Sequence, residues 1–115
     1  MNNVDSVIGS YTESAIAHGE ATMQGDNKLA NKSYDEIISC AKQLRALGNS
    51  GRDELEKLLK HSNDSVRLWA ATHSLRDNEI KAKSALNALA KSNGILSFSA
   101  EMVLTEWDGG RLETP

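Results

Sequence analysis

The sequence predicts an all-α fold of about six helices in three stacked antiparallel pairs. Apolar residues recur at helical spacing along almost the whole chain of 115 residues, without a convincing alternating strand pattern. Proline occurs once, as Pro115, so no proline breaks a helix. Clusters of Gly, Asn, Asp and Ser divide the chain into six segments. At this length we expect one domain over residues 1–110, followed by a C-terminal tail over residues 111–115.

The first two segments are the longest predicted helices. The first covers residues 4–24 and ends where Gly25 can adopt a left-handed conformation, with Asp26 as a cap for the second. The second helix ends at Gly48, and a capping-box pattern at Ser33 and Glu36 leaves a later start open. Their apolar faces contain Val4, Val7, Ile8, Tyr11, Ala15 and His18 in the first helix, and Ala30, Tyr34, Ile37, Ile38, Ala41, Leu44 and Leu47 in the second.

A short third helix and a more apolar fourth helix follow the turn at residues 48–51. The third helix ends near His61, and either Asn63 or Asp64 caps the fourth. The fourth is apolar over most of its circumference, which predicts a central helix packed between two neighbours. The apolar residues are Leu55, Leu58 and Leu59 in the third helix, and Val66, Leu68, Trp69, Ala70, Ala71, His73 and Leu75 in the fourth.

The fifth and sixth helices form the last predicted pair. The fifth begins at residues 77–79, where acidic side chains lie at the positive end of the helix dipole. The sixth ends at Gly109, after which we expect Leu112 to fold back. The apolar residues are Ile80, Ala85, Leu86 and Leu89 on the buried face of the fifth helix, and Ile95, Phe98, Met102, Val103 and Trp107 in the sixth.

The middle of the chain resembles a HEAT-type helical repeat. Residues 55–75 have the leucine-rich first helix, the short polar turn, the Val66-Arg67 pair and the alanines Ala70 and Ala71 of that family. His61 stands where the family has an acidic residue early in the turn. A second, weaker repeat signal places Phe98 and Met102 32 residues after Val66 and Ala70. The resemblance implies a HEAT-like α-solenoid.

Residues 65–107 also resemble a family of small bacterial proteins of unknown function with a HEAT-like fold. The resemblance rests on residues 66–73 and on the ending at residues 100–110. Some members of that family are encoded beside polymorphic or contact-dependent toxins, where they resemble immunity proteins. The resemblance therefore implies a protein that binds a toxin domain, although fold alone does not determine function.

Composition predicts a cytoplasmic protein that binds neither nucleic acid nor a membrane. The formal net charge of −3 disfavours binding to a nucleic-acid duplex, which needs a basic face. No apolar run is long enough to span a bilayer, and the first residues lack the pattern of a signal peptide. The single cysteine, Cys40, cannot form an internal disulfide, which fits a reducing compartment.

We expect no catalytic residue, metal or cofactor. His18, His61 and His73 are far apart in sequence and form no HxxxH or HExxH pattern, and there is no CxxC pair. Cys40 lies among apolar residues of a helix, without the neighbouring base that a nucleophile needs. An enzyme that uses His73, His61 or Cys40 is a less favoured hypothesis, which requires these side chains to meet in one polar cleft.

Stacked helix pairs present the second helix of each pair on an inner surface that suits protein binding. We expect the exposed residues there to include Asp35, Lys42, Arg45, Asp64, Arg67, Ser74, Glu101, Glu106 and Asp108. The predicted partner-binding residues are Asp64, Arg67, Glu101, Glu106, Trp107 and Asp108.

The function hypothesis is an immunity protein that neutralises a cognate toxin domain, with acidic residues opposing a basic surface such as a nuclease groove. The alternatives are a scaffold or adaptor for a cellular protein, and self-association through Leu68 and Trp69. A monomer or a weak dimer is expected.

Overall fold

The computed structural model describes residues 3–112, which contain six α-helices, one 3-10 helix and no strand. These are α1 (Asn3–Gln24), α2 (Asn27–Ala46), α3 (Asn49–Lys57), the 3-10 helix (Leu58–Lys60), α4 (Asp64–Ser74), α5 (Glu79–Lys91) and α6 (Ser97–Asp108). The predicted all-α class is confirmed. The stacked HEAT-like solenoid is compatible with these helices and stays a prediction.

Two predicted helix boundaries are set by local backbone chemistry. Gly25 and Gly48 have φ values of +72° and +69°, the left-handed conformation that ends α1 and the α2 segment. Asp26 then caps α2, since its side chain accepts a hydrogen bond of 3.1 Å from the backbone N–H of Leu29. The alternative start near Ser33 is therefore wrong, because α2 is already helical from Asn27.

The turn before α4 is organised by Asn63 and His61. Asn63 Oδ1 accepts hydrogen bonds from the backbone N–H groups of Ser65 at 2.9 Å and Val66 at 3.2 Å, so Asn63 rather than Asp64 is the cap. His61 Nδ1 accepts a hydrogen bond of 3.0 Å from the Asn63 N–H. The imidazole thus supplies a hydrogen-bond acceptor where the HEAT family has an acidic residue.

The described residues divide into two compact units, one up to Leu55 and the other from Glu56. In unit 1, α1 packs along α2. Gly51 in α3 lies so close to α2 that a Cβ atom there would be 1.9 Å from the carbonyl oxygen of Leu44. The buried apolar residues of this unit are Val4, Tyr11, Ala15, Ala21, Ile37, Cys40, Ala41, Leu44 and Leu55.

In unit 2, α5 packs against α4, α6 and the 3-10 helix and is the central helix of this unit, while α4 packs against α5 and the 3-10 helix. The central position expected for α4 in the whole chain stays a prediction. The core contains Ala71, Leu75, Ala82, Leu86, Leu89 and Ala100. Leu112 packs against this core, as predicted, while residues 113–115 of the predicted tail lie outside the described residues. The single domain expected over residues 1–110 stays a prediction.

Several predictions of burial are wrong. Ile80 is 86% exposed, because the buried face of α5 contains Ala82, Leu86 and Leu89 and Ile80 lies on the other side. Tyr34 is exposed on α2, whereas Ser74, expected at the surface, is buried. The proposed repeat fails at Phe98, which is exposed although its counterpart Val66 is fully buried.

Candidate functional site

The α6 helix separates its apolar residues onto two opposite sides. Ala100 is fully buried, and Val103, Leu104 and Trp107 pack against the core of unit 2, at the i, i+3, i+4, i+7 spacing of a buried stripe. Phe98 and Met102 lie on the opposite side, where Phe98 is 67% and Met102 is 47% exposed. Ile95, just before the helix, is 70% exposed.

We call this exposed side the outer face of α6, formed by Ile95, Phe98, Glu101, Met102 and Thr105. Glu101 is exposed and forms no ion pair within the described residues. Phe98 is the only phenylalanine of the chain, and aromatic side chains are more often buried. An exposed apolar stripe of this kind is typical of a surface that another molecule covers.

Glu101 is one of the predicted partner-binding residues, whereas its apolar neighbours on the outer face of α6 are not. By hydrophobicity alone, Phe98 and Met102 belong to one set of apolar residues with Val103 and Trp107. A helical projection shows that two stripes exist, because the residues at 98, 102 and 105 lie opposite those at 100, 103 and 107. Which stripe faces the core depends on the position of α5. The sequence therefore indicates the two stripes but does not indicate which of them is buried.

Asp64 and Arg67 lie at the first turn of α4. The Arg67 guanidinium forms an ion pair with the Asp64 carboxylate and donates a hydrogen bond of 2.8 Å to the backbone carbonyl of His61. Asp64 also lies beside Gly94, since its Oδ2 is 3.5 Å from the position of a Cβ atom built there. Asp64 is therefore next to the loop that leads into Ile95 and the outer face of α6.

The predicted residues at the end of α6 are engaged within unit 2. Trp107 Nε1 donates a hydrogen bond of 2.9 Å to Glu79 Oε2, and Lys83 Nζ lies 2.9 Å from Asp108 Oδ1 and 3.3 Å from Glu79 Oε2. Hydrogen bonds from Trp107 and Lys83 lower the pKa of Glu79, and those to Asp108 and Glu79 raise the pKa of Lys83. This network joins the start of α5 to the end of α6.

Glu106 forms a similar local contact. Its Oε2 is 3.1 Å from Arg111 Nε, and its backbone carbonyl accepts hydrogen bonds from the N–H groups of Arg111 and Leu112. Glu106 thus holds the segment that follows α6. Of the six predicted partner-binding residues, Glu101 alone is exposed without a described ion pair or hydrogen bond, and we take it as the polar centre of the surface.

Of the candidate catalytic side chains, Cys40 belongs to unit 1, and His61 and His73 belong to unit 2. Cys40 is buried in unit 1, where burial and the nearby Glu36 raise the pKa of its thiol, and burial lowers the pKa of His18. In unit 2, His73 is buried with its ring centroid 5.7 Å from that of Trp69, and His61 Nδ1 is used by the turn before α4.

Within residues 3–112, no three His, Cys, Asp or Glu side chains are grouped so that they could hold a metal ion. None of the helices described is long and apolar enough to cross a membrane.

Comparison with known proteins agrees with the expected small helical family. The sequence model of a family described as a domain of unknown function (DUF2019) matches residues 5–108. The crystal structure of protein RPA1889 from Rhodopseudomonas palustris CGA009 has a similar fold, with a TM-score of 0.89 and 22% sequence identity. The match covers 100% of this chain and 95% of that chain, and at this identity it shows the fold alone. No curated protein matches the chain.

Proposed function

The chain belongs to the DUF2019 family, and from this premise we propose that it is a non-catalytic domain that binds another protein through the outer face of α6. The observation that carries the proposal is the exposure of Phe98 beside Ile95 and Met102. These residues are supplied by a helix whose other side packs in the core of unit 2, so the surface is held on a rigid support.

The arrangement suits a partner with an apolar groove. Helix-in-groove recognition uses anchors at i, i+3, i+4 and i+7, and the outer face of α6 has Phe98, Glu101, Met102 and Thr105 at these positions. Phe98 and Met102 would supply the buried apolar area. Glu101 would pair with a basic residue at the rim of the groove, where charge adds specificity and speeds association.

We further propose that the partner is a basic toxin domain and that the chain acts as its immunity protein. The formal net charge of −3 favours a basic partner, and Glu101 has no described cation to neutralise it. With α6 seated in an apolar groove that adjoins a basic catalytic site, the chain would block access of the toxin to its substrate. Inhibition would then be steric and electrostatic, without any chemical step on the immunity protein.

The experiment is a binding titration with any toxin-like protein that is encoded next to the gene, by calorimetry at two salt concentrations. Phe98→Asp should weaken binding by at least about 30-fold, the effect of losing a central hot-spot residue of about 2 kcal/mol. Ile80→Asp is the matched control, because Ile80 is even more exposed than Phe98 but lies on α5, outside the proposed surface. Its affinity should stay within about twofold of the unchanged chain.

Three results would contradict parts of this proposal. Equal losses in both variants would refute the α6 surface. A complex that forms but leaves the toxin fully active would refute the immunity role and favour an adaptor. A dimer of the chain that Phe98→Asp dissociates, seen by sedimentation, would mean that the surface serves self-association.

A further inference from the structure

The loop between α5 and α6 contains Asn93 followed by Gly94, and Asn93 is the only asparagine of the chain that precedes a glycine. Asn93 is exposed and lies outside the helices, since α5 ends at Lys91 and α6 begins at Ser97. Its side-chain amide has no hydrogen-bond partner within the described residues. This side chain is therefore free to rotate, and it is not part of the outer face of α6.

Among residues 4–112, the two other asparagines outside the α-helices are engaged. Asn63 Oδ1 accepts two hydrogen bonds from the first turn of α4, and the side-chain amide of Asn78 donates one to a carboxylate. Asn31 and Asn87 are exposed, but they lie inside α2 and α5. Within a helix, the N–H of the following residue is held in a hydrogen bond to a carbonyl one turn earlier. Of the asparagines in this part of the chain, Asn93 alone combines a free amide, a following glycine and a non-helical backbone.

The backbone nitrogen of Gly94 is only weakly held. Its N–H donates to the Ser92 hydroxyl at 3.3 Å, which is longer than the usual range of an N–H···O bond. Gly94 has no Cβ atom, so its backbone rotates with few steric limits. The Asp64 carboxylate lies beside Gly94, where its charge would oppose loss of a proton from that nitrogen, but Arg67 forms an ion pair with it. The nitrogen of Gly94 can therefore react with the side chain that precedes it.

We propose that Asn93 is a site of spontaneous deamidation through a cyclic imide. The nitrogen of Gly94 loses its proton to hydroxide and attacks the side-chain carbonyl carbon of Asn93. The bond from that carbon to its amide nitrogen breaks, and the amide nitrogen takes up a proton from water and leaves as ammonia. Water then opens the imide ring at either carbonyl, which gives aspartate or isoaspartate. The net reaction consumes water and releases ammonia, and it needs no enzyme or oxidant.

The modification changes both the charge and the backbone of the loop. Either product adds one negative charge to a chain whose formal net charge is −3. Isoaspartate also lengthens the backbone by a methylene group. On one side of Asn93, the Ser92 hydroxyl donates a hydrogen bond of 2.6 Å to the Leu89 carbonyl. On the other side, the Gly94 carbonyl accepts one of 3.2 Å from the Ser97 N–H, so the added methylene lies between two anchored residues.

The test incubates the purified full chain in mildly alkaline buffer at physiological temperature, with peptide mapping by mass spectrometry over several days. We expect Asn93 to deamidate at least about tenfold faster than Asn31 and Asn87, because a helix opening that costs only about 1.4 kcal/mol already slows a helical site tenfold. Electron-transfer fragmentation should find both aspartate and isoaspartate in place of Asn93. The rate should rise with pH, because the Gly94 nitrogen must lose a proton.

Two variants separate the placement of the site from its dipeptide sequence. Ala88→Gly creates a second Asn-Gly pair at the exposed Asn87 inside α5, and circular dichroism checks that the helices are retained. In the folded protein this new site should deamidate at least about tenfold more slowly than Asn93, and in urea the two rates should agree within about threefold. Gly94→Ala should slow the reaction at Asn93 by at least about fivefold, because a Cβ atom restricts the backbone. That Cβ would be 3.3 Å from its nearest neighbour, the Ser92 hydroxyl, whose side chain can move.

Four results would overturn the proposal: equal rates at Asn93 and the helical asparagines, a folded Ala88→Gly chain in which Asn87 reacts as fast as Asn93, no slowing in Gly94→Ala, or aspartate as the only product. The last would mean that water hydrolyses the side-chain amide directly. Both variants leave the residues of the outer face of α6 unchanged, so this proposal and the proposed function fail separately.

Discussion

Replacing Gly51 by alanine should destabilise the protein strongly, although Gly51 lies in a helix where alanine is normally preferred. A Cβ atom at Gly51 would be 1.9 Å from the carbonyl oxygen of Leu44 and 2.7 Å from its carbonyl carbon. Both obstacles are backbone atoms of the α2 helix. No side chain can rotate away, so α3 must move from α2 by more than about 1 Å to restore a normal contact distance.

The net effect is a balance of two terms. Overpacking of a close contact costs about 1–3 kcal/mol and sometimes more, and the backbone obstacle places Gly51→Ala at the upper end. Alanine recovers up to about 1 kcal/mol of helix propensity. We therefore expect the free energy of unfolding to fall by about 2 kcal/mol.

Gly9→Ala provides the matched control. Gly9 lies in the interior of α1, is exposed, and has no atom within 4 Å of an added Cβ. The same substitution should there stabilise the protein by about 0.5–1 kcal/mol. Urea unfolding followed by circular dichroism measures both variants. If Gly51→Ala were as stable as Gly9→Ala, the close approach of α3 to α2 would be refuted.

Two further predictions concern caps and charges. Asn63→Ala removes the acceptor for two N–H groups of α4 and should cost about 1 kcal/mol in thermal unfolding; an unchanged midpoint would show that the cap adds nothing. Trp107→Phe removes a donor to Glu79, so the pKa of Glu79 should rise toward its ordinary value of 4.5, as measured by NMR titration. Because the folded pKa is lowered, the stabilisation by Glu79 is present above pH 4.5 and is lost as pH falls through the folded pKa. The pKa of Lys83 is raised in the folded protein, so its pH dependence runs the other way. The stabilisation by Lys83 is present below pH 10.5 and is lost as pH rises through the folded pKa. An unchanged Glu79 titration in Trp107→Phe would contradict the bond.

Helix ends were the most predictable part of the structure. The turn glycine Gly25 and the caps Asp26 and Asn63 act within four residues of themselves, so their effect is visible in a short stretch of sequence. The start of α2 was ambiguous because Ser33 and Glu36 match a capping-box pattern. Such a pattern can also occur inside a helix, where it does not mark the helix start.

The candidate surface was predictable only in part. Glu101 was expected at the surface because charged side chains coat exposed helix faces, and it lies there. Trp107 and Asp108 are also predicted to bind a partner. Their hydrogen bond and ion pair instead connect them to Glu79 and Lys83 of α5, which lie 28 and 25 residues earlier in the sequence. Such contacts depend on how α5 and α6 align, which no pattern within either helix specifies.

The sequence by itself determined that this protein is all-α and where most helices begin and end, because helices and caps are stabilised by contacts within one turn. Only the tertiary structure decided which side of each helix is covered. In unit 2, small residues occupy the covered sides of α5 and α6. Ala82 and Ala100 are both fully buried, where these two helices contribute to the core. That packing leaves Ile80 and Phe98 outside, although hydrophobicity alone would have placed both within.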